Sequence, residues 1–301
     1  MMHHWLLRLG LLAALCAAPP LRSAEAVPNY GQIIAARVIG DVDAVNLADH
    51  TVTPLHNNDL IFQGYSIRTG PDASIVLVFS NGSTIRLAAD TELSVDEFLQ
   101  DPFAGEELAV EQLTAEPTHS STKLNLVRGE VVGHVLSLHP GSTHEIQTPV
   151  GAAGIRGTVF RHLYRETDDG RVNFSSSTDE GEVEFTPTDG PPTRIKAAME
   201  LTSHGRRGRR GGAPFATHEI SRRAKVVIDH HFKVMRASRG RVIFRRADAR
   251  VARGMKPKLR RDPGAKREKL NDFKDIDREE KERERETRAN PGAKPGAKKR
   301  P

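Results

Sequence analysis

From Tyr30 onward the chain reads as short apolar runs, a handful of residues each, broken by Gly, Asn, Asp and Pro. Before residue 100 almost no stretch shows the 3.6-residue period of an amphipathic helix. The runs predict strands at Ile33–Val38, Ser74–Phe79, Thr84–Leu87, Lys123–Val127, Glu130–Leu136, Glu145–Thr148, Thr158–Tyr164, Val172–Ser175 and Glu182–Thr186. The clearest pair is SIVLVF-SNG-STIRLA. Asn81-Gly82 supplies the positive φ of a tight hairpin, and Ile85 and Leu87 alternate with Thr84 and Arg86 on the returning strand. Many short strands separated by turn signals predict a mainly β fold, a stacked-strand or sandwich-like domain.

Asp90–Glu116 is the one early helical candidate, but Leu93, Val95, Phe98 and Leu99 are irregularly spaced, and Pro102 and Gly105 interrupt them. The expectation is a strand at Thr91–Val95 followed by a solvated acidic insertion over about 96–121. After Pro187, Gly190-Pro191-Pro192 is a loop and Arg194–Leu201 can return to the sheet. A basic linker, SHGRRGRRGGAP, follows from Ser203 to Pro214, with strand-like segments at Ala224–Ile228 and Arg241–Phe244 beyond it. Past Met255 the apolar content is too low to build a core, which predicts disorder, with a solvated helix at Asn271–Asn290 and three PGAK turns.

The first residues change the usable length. One early positive charge at Arg8, an apolar run from about Leu9 to Ala18, and Ala24 and Ala26 in an A-x-A pattern are the anatomy of a signal peptide over 1–26. The apolar part falls short of the roughly 20 residues a bilayer span needs, and no later stretch reaches that length. The organisation expected is therefore 1–26 signal peptide, 27–201 β domain, 202–254 basic linker with two weak strands, and 255–301 charged, disordered tail. The only cysteine, Cys16, lies in the leader. An exported mature chain would lack a thiol, which excludes a Cys nucleophile, a disulfide framework and Cys-ligated zinc.

Charge then divides the molecule. Residues 1–200 hold 13 basic and 26 acidic residues, whereas 201–301 hold 32 and 13, so the formal net charge of +6 describes neither half. Arg206, Arg207, Arg209, Arg210, Arg222 and Arg223, with Lys298, Lys299 and Arg300 at the end, are candidates for anion binding through counterion release.

One long pattern is more specific. GYSIRTGPDASIVLVFSNGSTIRLAADTEL is followed, after the acidic segment, by KLNLVRGEVVGHVLSLHPGSTHEIQTPVGAAGIRGTVF. It resembles the FecR protein domain, through Arg68-Thr69-Gly70, Asn81-Gly82-Ser83, Thr91, Gly129, Thr148-Pro149, and then Gly154, Arg156, Gly157, Thr158 and Phe160. The match runs over about Leu60–Leu163, loosely to Leu201. The glycines and Pro149 are expected as backbone devices. Arg156 either ties strands by hydrogen-bonding carbonyls or presents a fork to a carboxylate.

The resemblance implies a non-catalytic, periplasmic or secreted β module of the bacterial envelope, acting in protein–protein signalling or structure. The regulators of the family pair a cytoplasmic sigma-binding segment with one transmembrane helix. This sequence shows neither, so a stand-alone exported FecR-domain protein is the better expectation. Partners expected are an envelope protein or an anionic polymer, with self-association between the acidic and basic halves as a further option. The alternative is a scaffold that binds nucleic acid or acidic glycan through its tail, although export argues against nucleic acid. No catalytic residue, cofactor or metal is expected. Asp229-His230-His231, read as strand, would point its histidines to opposite faces, and Asp41 with Asp43 lacks the rest of a calcium loop.

Overall fold

The computed structural model describes residues 29–206, 214–246 and 248. The elements, in chain order, are β1 (Ile33–Ile39), β2 (Val42–Asn46), β3 (Val52–Pro54), β4 (Leu60–Ile61), β5 (Tyr65–Thr69), β6 (Ser74–Phe79), β7 (Thr84–Leu87), β8 (Glu92–Gln100), β9 (Glu107–Ala109), β10 (Ser120–Val135), β11 (Thr143–Thr148), β12 (Gly151–Ile155), β13 (Thr158–Glu166), β14 (Arg171–Glu180), β15 (Glu182–Pro187), β16 (Thr193–Lys196), β17 (Met199–Arg206), β18 (Phe215–Glu219), α1 (Arg222–Arg239) and β19 (Ile243–Arg245). The fold is mainly β, as the alternation of the sequence predicts.

Two pleated faces make the core. One runs β3-β2-β5-β8-β10-β11-β12-β15-β16. The other runs β4-β1-β6-β7-β10-β13-β14-β17-β18. Strand β10 belongs to both: Ser120–Arg128 pairs with β8 and β11, and Gly129–Val135 pairs with β7 and β13. Inward side chains of the first face, such as Ile67, Leu93, Leu124, Ile146 and Val183, form one buried cluster with Leu77, Ile85, Val131, Phe160 and Phe174 of the second.

The second face is covered on its outer side as well. Val76, Val78, Val132 and Val159 point outward into a separate cluster with Phe103, Val110, Ile228, Val234, Met235, Val242 and Phe244. This explains why all six residues of β6 are buried and why SIVLVF reads as a continuous apolar run. Helix α1 supplies much of the cover, and the short pair β9–β19 extends it.

Several expectations need correction. Ala224–Ile228 is the first part of α1 rather than a strand, because Ala224, Ile228, Val234, Met235 and Ser238 are buried at helical spacing and Ser221 caps the start. Lys123–Val127 and Glu130–Leu136 are one strand, bent at Gly129 instead of ended there. Asp96–Gln100 continues β8 past a bulge opposite Lys123 and Leu124, and Phe103, Val110 and Glu116 are buried, so the acidic segment is not simply solvated. Residues 1–28, including the expected leader, and the tail with its expected helix at Asn271–Asn290 lie outside the described residues. Among the described residues, no helix is long and apolar enough to cross a membrane.

Candidate functional site

The segment Arg68-Thr69-Gly70 ends β5 where the chain turns toward β6. Thr69 Oγ1 donates to the Ala88 carbonyl at 2.6 Å and accepts from the Thr91 N–H at 2.9 Å. Thr91 Oγ1 in turn accepts from the Glu130 N–H at 3.0 Å, one residue past the bend of β10. Gly129 has φ +99°, and a Cβ there would stand 2.3 Å from Thr91 Oγ1. Gly70 N–H reaches the Asp41 carbonyl at 2.9 Å. Beside this corner, Arg68 and Arg128 flank one carboxylate, with Arg68 Nε donating to Glu92 Oε1 at 2.9 Å and Arg128 Nε 3.5 Å from Glu92 Oε2. Residues far apart in sequence thus lock the point where β10 passes between the faces.

The Asn81-Gly82-Ser83 turn is buried rather than exposed. Asn81 Oδ1 accepts from the Ser83 N–H and Asn81 Nδ2 donates to Ser120 Oγ, both at 3.0 Å. Ser120 Oγ donates to Glu116, whose second oxygen accepts from the His139 N–H at 2.7 Å. The hairpin tip is therefore tied to the root of the acidic segment, and its φ of +87° at Gly82 is a backbone requirement.

Further along, Thr148 Oγ1 donates to the Gly151 carbonyl at 2.8 Å and holds the Pro149 turn between β11 and β12. Thr158 Oγ1 donates to the Glu182 carbonyl at 3.1 Å, and Phe160 is fully buried over Gly133, where a Cβ would fall 2.2 Å from its ring. Gly157 has φ +66°. Two motif positions stand apart. Gly154 is exposed, has no positive φ, and leaves an added Cβ 3.8 Å from its nearest neighbour. Arg156, two residues on and also exposed, has no hydrogen bond or ion pair among the described residues. Ala152 and Gly154 share the outer side of β12, with Glu145 of β11 and Glu184 of β15 opposite Gly154, and Arg156 follows in the bend just past the strand's end.

Residues 65–184, the stretch that holds this geometry, match the family described as FecR protein. The chain carries a FecR domain. Every motif position from Arg68 to Phe160 lies within the matched residues of that domain, and all but Gly154 and Arg156 have an evident backbone, packing or pairing role. Two crystal structures of a candidate anti-sigma factor from Parabacteroides distasonis ATCC 8503 are similar at 13% identity, with TM-scores of 0.39 and 0.38. The matches cover 56% and 54% of this chain and 64% and 62% of the other, so less than two thirds of that protein is spanned. No curated protein matches.

Helix α1 lies on the FecR domain's second face over a charged seam. Arg161 Nε donates to Glu130 Oε1 at 2.8 Å, and Lys225 Nζ stands 2.8 Å from both Asp179 and Asp229. Burial alone would raise the Glu200 carboxyl, but Ser175, the Ser221 N–H and Ser177 donate to it and hold it below its ordinary value. Ser221 also accepts from the Ala224 N–H at 3.2 Å. Ser221→Ala is expected to lower stability by about 1 kcal/mol, read as a shift of the urea midpoint.

The helix also corrects the histidine reading. His230 and His231 are on α1, and Arg86 Nη1 lies 2.9 Å from His231 Nε2. Among the described residues, no group of three or more His, Cys, Asp or Glu is placed to hold a metal ion. Of the anion-binding candidates, Arg222 and Arg223 are exposed at the start of α1, and Arg206 ends β17. Arg207, Arg209, Arg210, Lys298, Lys299 and Arg300 lie outside the described residues. Lys233 and Arg236 join the exposed cations only once their segment is helical, since a strand reading does not align them with Arg222.

Proposed function

We propose that the chain is a non-enzymatic, exported FecR-domain protein of the bacterial envelope that works by binding a protein partner, in a signalling or structural role. The observation that carries this reading is the pair Gly154 and Arg156. A glycine with space for a side chain leaves bare backbone on an exposed strand, and two residues on, just past the strand's end, is an exposed guanidinium without a partner among the described residues. Bare backbone admits a close neighbour, and the guanidinium fork matches a carboxylate on that neighbour in two parallel hydrogen bonds. The family membership supports the same conclusion, since the other motif positions build the scaffold that displays these two.

The test is capture of partners from envelope extract by the full chain and by two variants. Arg156→Ala and Gly154→Trp are expected to leave the melting temperature within about 1 °C of wild type, because both side chains are solvent-facing. Each is expected to reduce capture at least tenfold. Undiminished capture by both variants would remove this face from the account. A chain ending after Asp248 separates the tail's contribution, whereas a cut before Ser203 would truncate β17 and delete β18 and α1.

A further inference from the structure

Helix α1 buries one side in the domain and presents a line of cations on the other. At 3.6 residues per turn, Arg222, Lys233 and Arg236 fall within about 60° of one another, over about 21 Å of helix, with Arg223 at the flank. All four are exposed, and none has an ion pair among the described residues. Among the basic side chains of the sheets, Arg68, Lys123, Arg161, Arg171 and Arg194 each stand within 4 Å of a carboxylate, whereas the exposed Arg165 and Lys196 do not, among the described residues. The one acid on the outward stripe, Asp229, is engaged by Lys225 at 2.8 Å.

The helix start breaks a local rule. Its first turn contains no acid and two arginines, although the macrodipole favours anions there and disfavours cations. That arrangement weakens the isolated helix and raises the positive potential along the stripe. A broken local preference with no local gain is what a functional surface looks like.

We infer that the outward face of α1 is a docking surface for the phosphate plane of an anionic phospholipid layer. Its form fits a plane. The cations are collinear on a convex ridge, and the exposed Val226 between them can sit among headgroups. A nucleic acid fits less well, because no aromatic ring is offered for base stacking: Phe232 packs edge-on to His134 at 5.3 Å and Phe244 is buried. The inference is independent of the β12 face, so it stands or falls separately from the proposed protein partner.

The experiment is co-sedimentation of the full chain with phosphatidylglycerol-containing vesicles and with phosphatidylcholine vesicles, at low and high salt. Wild type is expected to bind the anionic vesicles at low salt and to release at high salt. Each cation near such a surface is worth roughly fivefold in affinity, so the quadruple variant Arg222→Gln, Arg223→Gln, Lys233→Gln, Arg236→Gln is expected to bind roughly 600-fold more weakly. Its melting temperature should match wild type, since these side chains face solvent, and Arg156→Ala should bind vesicles normally. The inference is overturned if wild type does not prefer anionic vesicles, if the quadruple variant binds as well as wild type, or if duplex DNA at equal salt outcompetes the vesicles.

Discussion

Acidification from pH 7 to pH 4.5 is expected to destabilise the domain steeply, chiefly through its buried histidines. His144 and His162 project from opposite faces into the interior, where burial lowers each imidazole to about 3. Their ring nitrogens, and the hydroxyls of Thr122, Ser176 and Thr178, find no hydrogen-bond partner among the described residues. Burial, then the Arg239 charge, lowers His134 to about 4, and burial, then Arg86, lowers His231 well below 6.5. The unfolded chain binds these protons near pH 6.5 and the folded chain does not, so stability is full above 6.5 and declines as pH falls toward 3. At pH 5 His144 and His162 each cost about 2 kcal/mol, a large part of an ordinary domain's stability. A melting temperature that stays flat from pH 6.5 to 4.5 would contradict this. His144→Leu with His162→Leu should roughly halve the slope, leaving the part due to His134 and His231.

Gly129→Ala is expected to destabilise by about 3 kcal/mol, combining a backbone that L-residues rarely adopt with overlap onto Thr91. The overlap is with backbone too, since the added carbon would lie 2.5 Å from Thr91 Cα. Two other motif glycines calibrate the result. Gly157→Ala meets nothing closer than 3.5 Å and carries only the cost of its φ of +66°, about 1 kcal/mol. Gly154→Ala carries neither cost and should change stability by less than about 0.5 kcal/mol. Urea unfolding of the three variants therefore ranks them 129, 157, 154. Equal losses at 129 and 154 would mean that the corner does not set the path of β10.

How much of this was legible in the sequence depended on whether the pattern stayed in phase. The β6–β7 hairpin was readable to the residue, because its apolar run, Asn81-Gly82 turn and return alternation agree. Strand β8 was cut short because its bulge shifts the alternation between Val95 and Phe98, so an inward phenylalanine looked out of step. Gly129 looks like a break in the sequence because a turn and a bend in a continuous strand both call for a positive φ. Helix α1 was disguised by Val226-Val227-Ile228, a β-branched run, although burial at 224, 228, 234, 235 and 238 follows the helical period. The motif positions are named from resemblance, but their division into scaffold and display rests on the open space at Gly154 and on Arg156 having no partner among the described residues. Pairings such as Thr69 with Thr91 and Arg161 with Glu130 join residues too distant in sequence for any local signal.

The cover on the second face also fixes an order of events. Val76 and Val78 lie near the start of the domain, and Ile228, Val234 and Phe244, which close over them, come about 150 residues later. At synthesis rates of roughly 5–20 residues per second, that outward apolar strip stays bare for roughly 8–30 s after it leaves the ribosome. A holding factor has that interval in which to keep the chain unfolded. A product that stops short of α1 never hides the strip at all and becomes a substrate for aggregation or proteolysis.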